Sequence, residues 1–141
     1  MISIHATDFD NASLNLYIDR HPDSCPLCHH SVSPKPYNFF LIPKKKLLQG
    51  VYLCPNRECQ KFFIAYFEEI PGNPQNRQRT YYKWKENCPQ TKEKRGFSDI
   101  IQKISPEFVE IYNQAYAAEQ EGLKKICGAG YRKALEFLIK D

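Results

Sequence analysis

The feature that most constrains this chain is a spacing of cysteines. Cys25-Pro26-Leu27-Cys28 is followed, 25 residues on, by Cys54-Pro55-Asn56-Arg57-Glu58-Cys59. A gap of two between cysteines forces a tight turn that aims both sulfurs at one point. A gap of four lies within the range that metal-binding turns use. Two such turns facing each other make a tetrahedral sulfur cage, which suits Zn2+. The bland alternative is four unrelated buried thiols, since free cysteine packs well in cores. A redox pair or an iron centre is also chemically open to a four-sulfur set. Zinc is favoured because no electron-transfer feature is apparent. Four thiolates leave no position for water, so the expected role of the ion is structural. His29 and His30 adjoin Cys28 and read as loop residues, because the ligand set is already complete. Cys88 and Cys127 have no partner at suitable spacing and read as inert or packed.

A metal also answers a problem of size. With 141 residues the chain makes one domain or two very small ones, and small cores need a staple. No basic n-region or long apolar run opens the sequence. No stretch approaches the roughly 20 apolar residues of a membrane helix. The expected compartment is the cytoplasm, where thiols stay reduced.

The chain divides near Gly96. Residues 1–96 read as a zinc-ribbon β domain, and residues 97–141 as a helical hairpin that starts a larger helical domain. Leu14–Ile18 alternates apolar and polar residues. Phe39–Ile42 and Val51–Leu53 are short apolar runs. Lys61–Ile70 and Arg79–Asn87 read as an antiparallel pair joined by a long loop through Pro71-Gly72-Asn73-Pro74. After Gly96, a short helical piece ends at Lys103. Ser105-Pro106 then looks like an N-cap followed by proline at the first helical position, with Glu107 and Glu110 at the positive end. Phe108, Ile111, Tyr112, Ala115 and Ala118 share one face, as do Cys127, Tyr131, Ala134, Leu135 and Leu138. Gly122 separates the two helices. The fold class expected is α+β: a small antiparallel zinc-ribbon sheet followed by a C-terminal α-helical hairpin.

Basic residues collect in the cysteine-containing part. Residues 1–96 hold 14 Lys/Arg against 9 Asp/Glu, whereas residues 97–141 hold 6 against 7. Arg77, Arg79, Tyr82, Lys83, Trp84 and Lys85 interleave cations with rings, a pattern that can stack bases and neutralise phosphates. Lys44, Lys45 and Lys46 offer a second patch. The plainer account is that the rings are core and the cations keep the opposite strand face wet. Alternation would put Tyr82 and Trp84 on one face and Tyr81, Lys83 and Lys85 on the other.

No phosphate-binding glycine loop and no nucleophile elbow is present. Arg132 and Glu136 have the spacing of a surface ion pair. The paired knuckles, the run from Ser105 to Ala115 and the segment Gly130-Tyr131-Arg132-Lys133-Ala134-Leu135-Glu136-Phe137-Leu138-Ile139 together resemble the bacterial domain of unknown function (DUF) 4145 family. That resemblance spans residues 24–141. It implies an N-terminal zinc ribbon, a helical domain and, in some members, an association with restriction or phage-defence systems. The helical part also resembles the HEPN nucleases, whose Arg–His pair is not matched after Arg132, so ribonuclease chemistry does not transfer. Because the chain stops while still helical, truncation is expected. The expected function is a non-catalytic zinc-binding module for protein or assembly interactions, partnered or self-associating through its helices. Nucleic-acid binding and the N-terminal part of a HEPN-like ribonuclease are the alternatives.

Overall fold

A computed structural model describes all 141 residues. The order is six strands, then three helices. The strands are β1 (Ile2–Thr7), β2 (Ser13–Ile18), β3 (Lys35–Ile42), β4 (Leu47–Leu53), β5 (Phe62–Ile70) and β6 (Tyr81–Cys88). The helices are α1 (Asp99–Ile104), α2 (Pro106–Gln120) and α3 (Lys124–Lys140). The class is α+β, with a mixed six-stranded sheet in place of a small antiparallel one. The chain falls into two compact units, Met1–Thr91 and Lys92–Asp141. No helix is long and apolar enough to cross a membrane.

In the first unit the sheet closes on itself in the order β1-β2-β6-β5-β4-β3. Neighbours are antiparallel except at two seams, where β1 meets β3 in parallel through Thr7 and Phe40, and β2 meets β6 in parallel through Ile18 and Tyr82. The second seam is reinforced by Asp19, whose carboxylate accepts from Trp84 N at 2.8 Å. Sealing both edges removes unpaired strand groups that would template aggregation.

Strand β1 was not among the expected strands, although Ile2-Ser3-Ile4-His5-Ala6-Thr7 alternates, with Ile4 and Ala6 buried. Its turn into β2 is held by Asp8, whose side chain accepts from Asp10 N and Ala12 N. Inside the barrel, Ile18, Phe39, Leu48, Tyr52, Phe63 and Phe67 form the core. Gly50 belongs to this packing. A Cβ there would stand 2.8 Å from the rings of both Phe39 and Tyr52, so the missing side chain is the space those rings occupy. Tyr52 stacks on Phe63 with centroids 5.8 Å apart. Fully burying such a ring contributes roughly 1.5–3 kcal/mol.

In the second unit the segment 92–96, expected with the β domain, runs along α2. Glu93 N donates to Gln120 and Arg95 N to Asn113, each at 2.8 Å. Ser98 caps α1 through Ile101 N. Ser105 precedes α2 and Pro106 opens it, but the Ser105 hydroxyl makes no cap. It is fully buried and donates to the Asp141 carboxylate after α3. Phe97, Phe108, Tyr112 and Tyr131 form a chain of ring contacts with centroids 5.0–5.1 Å apart at successive steps from Phe108 to Phe97, Phe97 to Tyr112 and Tyr112 to Tyr131. The α3 stripe is narrower than expected. Cys127 and Ala134 are buried, but Leu135 is 53% exposed. Glu136 pairs with Lys133, not with Arg132.

Candidate metal centre

The first cysteine pair lies between β2 and β3, and the second joins β4 to β5, so both sit in connections of the barrel. Each turn is shaped by its own backbone. His29 N donates to Cys25 O at 2.9 Å, and Leu27 N points at the Cys25 sulfur at 3.4 Å. In the second turn Cys59 N and Gln60 N both donate to Asn56 O. The Asn56 side chain accepts from Glu58 N and reaches toward the Cys28 sulfur at 3.8 Å. The residue after each turn's last cysteine takes a left-handed conformation, His29 at φ 60 and Gln60 at φ 49. That twist carries the chain away while leaving both sulfurs pointing inward.

The outcome is one sulfur cluster from residues 34 apart in sequence at the extremes. Cys25 and Cys59 Sγ are 3.9 Å apart, Cys28 and Cys54 Sγ are 3.7 Å apart, and all four sulfurs lie within 4.8 Å of one another. A regular tetrahedron with zinc–sulfur bonds of about 2.3 Å has edges near ~3.8 Å. The four cysteines thus present a donor set and spacing that can hold a metal ion, and none is in a disulfide.

The protonation chemistry agrees with a cation site. Burial pushes the Cys25 and Cys54 thiols up, Cys54 to about 12. Burial acts upward on Cys28 too, but backbone and side-chain hydrogen bonds with His30 and contacts with the neighbouring thiols bring it down to about 6. Thiolates this close repel one another, and a dication bound among them would supply the missing counter-charge.

No family model matches the chain, and no curated protein and no solved structure matches it. The site is therefore read from its own geometry. Around the sulfurs, the barrel supplies a support shell. Thr91 donates to Pro26 O at 2.6 Å and meets His29 Nε2 at 2.9 Å. Asn87 donates to Ser24 O at 3.4 Å and accepts from Trp84 Nε1 at 3.0 Å. His29 is thus engaged away from the sulfurs. Cys127 is buried in α3, and Cys88 is exposed on β6.

The residues expected to bind nucleic acid are scattered in role. Tyr82 is buried in the barrel and donates to Glu69, so its ring is not open for stacking. Trp84 packs partly against the core, with the Arg20 guanidinium 4.7 Å from its ring centroid. Arg79 donates to Tyr17 OH at 3.0 Å, and Lys85 pairs with Glu68. Arg77, Lys83 and Lys44–Lys46 are exposed. Sequence reasoning missed a different set of rings, Tyr37, Phe40, Phe62 and Tyr66, on the outside of β3 and β5 or in the β3 bulge. Their signal was apolar residues at every position of Phe39–Ile42 and Phe62–Phe67, where a barrel needs only every second one.

Proposed function

We infer that this chain is a non-catalytic binding module in which Zn2+, held by Cys25, Cys28, Cys54 and Cys59, clamps one end of a β-barrel. The observation that supports it is the set of four sulfurs at tetrahedral spacing. Zinc suits an all-thiolate, redox-silent clamp, and four protein ligands leave no open position for a reacting water. The knuckles serve as a zinc-ribbon element grafted onto the barrel, and the helices form a hairpin-like attachment. Likeness to the DUF4145 family, with its links to restriction and phage defence, and a cytoplasmic setting belong to this proposal and rest on the knuckles and the Gly130–Ile139 segment.

Metal analysis of the purified chain tests the reading. One zinc per chain is expected, and cobalt substitution should give the visible bands of a tetrahedral thiolate site. A chain that carries no metal and folds equally well in chelator refutes it.

A further inference from the structure

Barrels of this size fill their interior with alternate side chains and leave the others in water. On β3, β4 and β5 most of the others are apolar too. The registers place Lys35, Leu53 and Phe62 in one outward row and Asn38, Val51, Ile64 and Cys88 in the next. Phe40, Gln49, Tyr66 and Glu86 follow, then Ile42, Leu47, Glu68 and Lys83. The centre of this face carries no charge. Two of its rings stand open, Tyr37 at 55% and Phe62 at 56% exposed, and they meet edge to face at 5.3 Å. Beside Phe62, a cleft of about 370 Å³ is lined by Val51, Phe62, Phe63, Ile64, Cys88 and Pro89. A contiguous face of this kind on a folded chain marks a binding surface.

Charge selects the occupant. Lys35 lies at one end of the face, with its ammonium 5.5 Å from the Tyr37 ring centroid, and Lys61 directly precedes β5. The β3–β4 turn at the other end carries Lys44, Lys45 and Lys46, all exposed. On the β6 side, Lys83 stands opposite Glu68, which pairs with Lys85, and Glu86 stands opposite Tyr66. Lys35 stands opposite Leu53, and beside the β3–β4 turn Glu69 N donates to Lys46 O, so the lysines at the two ends outnumber the acid next to them. From Lys35 to Ile42 the strand extends roughly 23 Å. Aromatic rings on a strand surface with cations at both ends are complementary to unpaired bases joined by phosphates.

We propose that the outer face of β3–β4–β5 binds single-stranded nucleic acid, with bases stacked on Tyr37, Phe62 and Phe40 and phosphates held by Lys35 and Lys44–Lys46. This names the ligand of the binding module inferred above and rests on that module being metal-loaded. A duplex keeps its bases stacked internally, so it offers the rings nothing. The face differs from the one expected on β6, because Tyr82 and Trp84 turn inward.

The test is fluorescence anisotropy of the full, metal-loaded chain with labelled oligothymidylate and oligouridylate of about twelve nucleotides, within the span that one such barrel covers. Metal content is measured on the same sample, so a failure of the zinc reading is seen separately. Binding is expected to weaken about twentyfold between 50 and 200 mM salt, given roughly three phosphate contacts. Phe62→Leu keeps the face apolar but removes the ring, and it should weaken binding about tenfold. Lys44→Glu with Lys45→Glu should weaken it and flatten the salt dependence. Duplex DNA of the same length should bind more weakly than either single strand. Absence of single-strand binding by metal-loaded protein overturns the proposal, as does binding that both variants leave unchanged. A concentration-dependent dimer that Phe62→Glu dissolves, with no oligonucleotide bound, overturns it in favour of a second copy on this face.

Discussion

Cys54 and His21 show how strongly a single side chain depends on its surroundings here. Cys54 is fully buried at the end of β4, and its thiol is costly to ionise without a cation. Replacing it by serine should abolish stoichiometric metal binding and lower the melting temperature by ~10 °C or more, since a loss of a few kcal/mol translates into shifts of that size in a domain this small. Paired metal analysis and thermal denaturation would check both. His21 Nδ1 lies 2.9 Å from the hydroxyl of the buried Tyr52, and burial lowers the imidazole from its ordinary 6.5. The neutral ring accepts that hydroxyl proton; a protonated ring cannot. A folded-state value below the unfolded one means that the unfolded chain takes up protons first. The contribution is therefore complete above pH 6.5 and is lost as pH falls through the depressed value. An NMR titration of the His21 ring should give a midpoint below 6.5; a midpoint at or above it would contradict this account.

At the scale of elements, two glycines of α3 make opposite predictions. A Cβ at Gly128 would meet nothing within 4 Å, whereas one at Gly130 would lie 2.8 Å from the Cβ of Ala115 on α2. Gly128→Ala should stabilise the chain by about 0.5–1 kcal/mol, as expected for an open helical position. Gly130→Ala should destabilise it by ~1–3 kcal/mol, because the helices must part to admit the methyl group. Denaturant melts of the two variants decide the matter, and equal signs would show that this close approach is wrong. Strand β6 was legible in its alternation, with Tyr82 and Trp84 inward and Lys83 outward, up to the register shift opposite Tyr66 and Phe67. There an extra residue enters β6, and Asn87 turns inward instead of staying in phase with Lys85. A bulge leaves no composition signature here, so periodicity could not place Asn87 under the knuckle. The α3 stripe failed at Leu135 for a related reason: helical spacing says which residues share a face, not how wide a face the neighbour covers.

Across the whole molecule, the four sulfurs bring together loops that strand pairing alone does not join. The β2–β3 and β4–β5 connections meet at the four sulfurs, and β6 is tied to the first of them through Trp84, Asn87 and Ser24. Chelation should therefore loosen that end of the barrel. Trp84 is the single tryptophan, so its emission reports the change: a red shift on metal removal, reversed by added zinc, is expected. Unaltered emission after confirmed metal loss would mean that the sulfurs do not hold the barrel end together. The grouping of the four cysteines and the α+β class were legible in the chain because they are local: knuckle spacing, turn residues and helical periodicity each act over a few residues. Closure of six strands was not, because the parallel seams at Thr7–Phe40 and Ile18–Tyr82 join residues whose proximity no short-range pattern encodes. The same holds for the outer face of β3–β4–β5. Its apolar runs were visible as residues, but only the registers bring three of them side by side, with lysines at both ends.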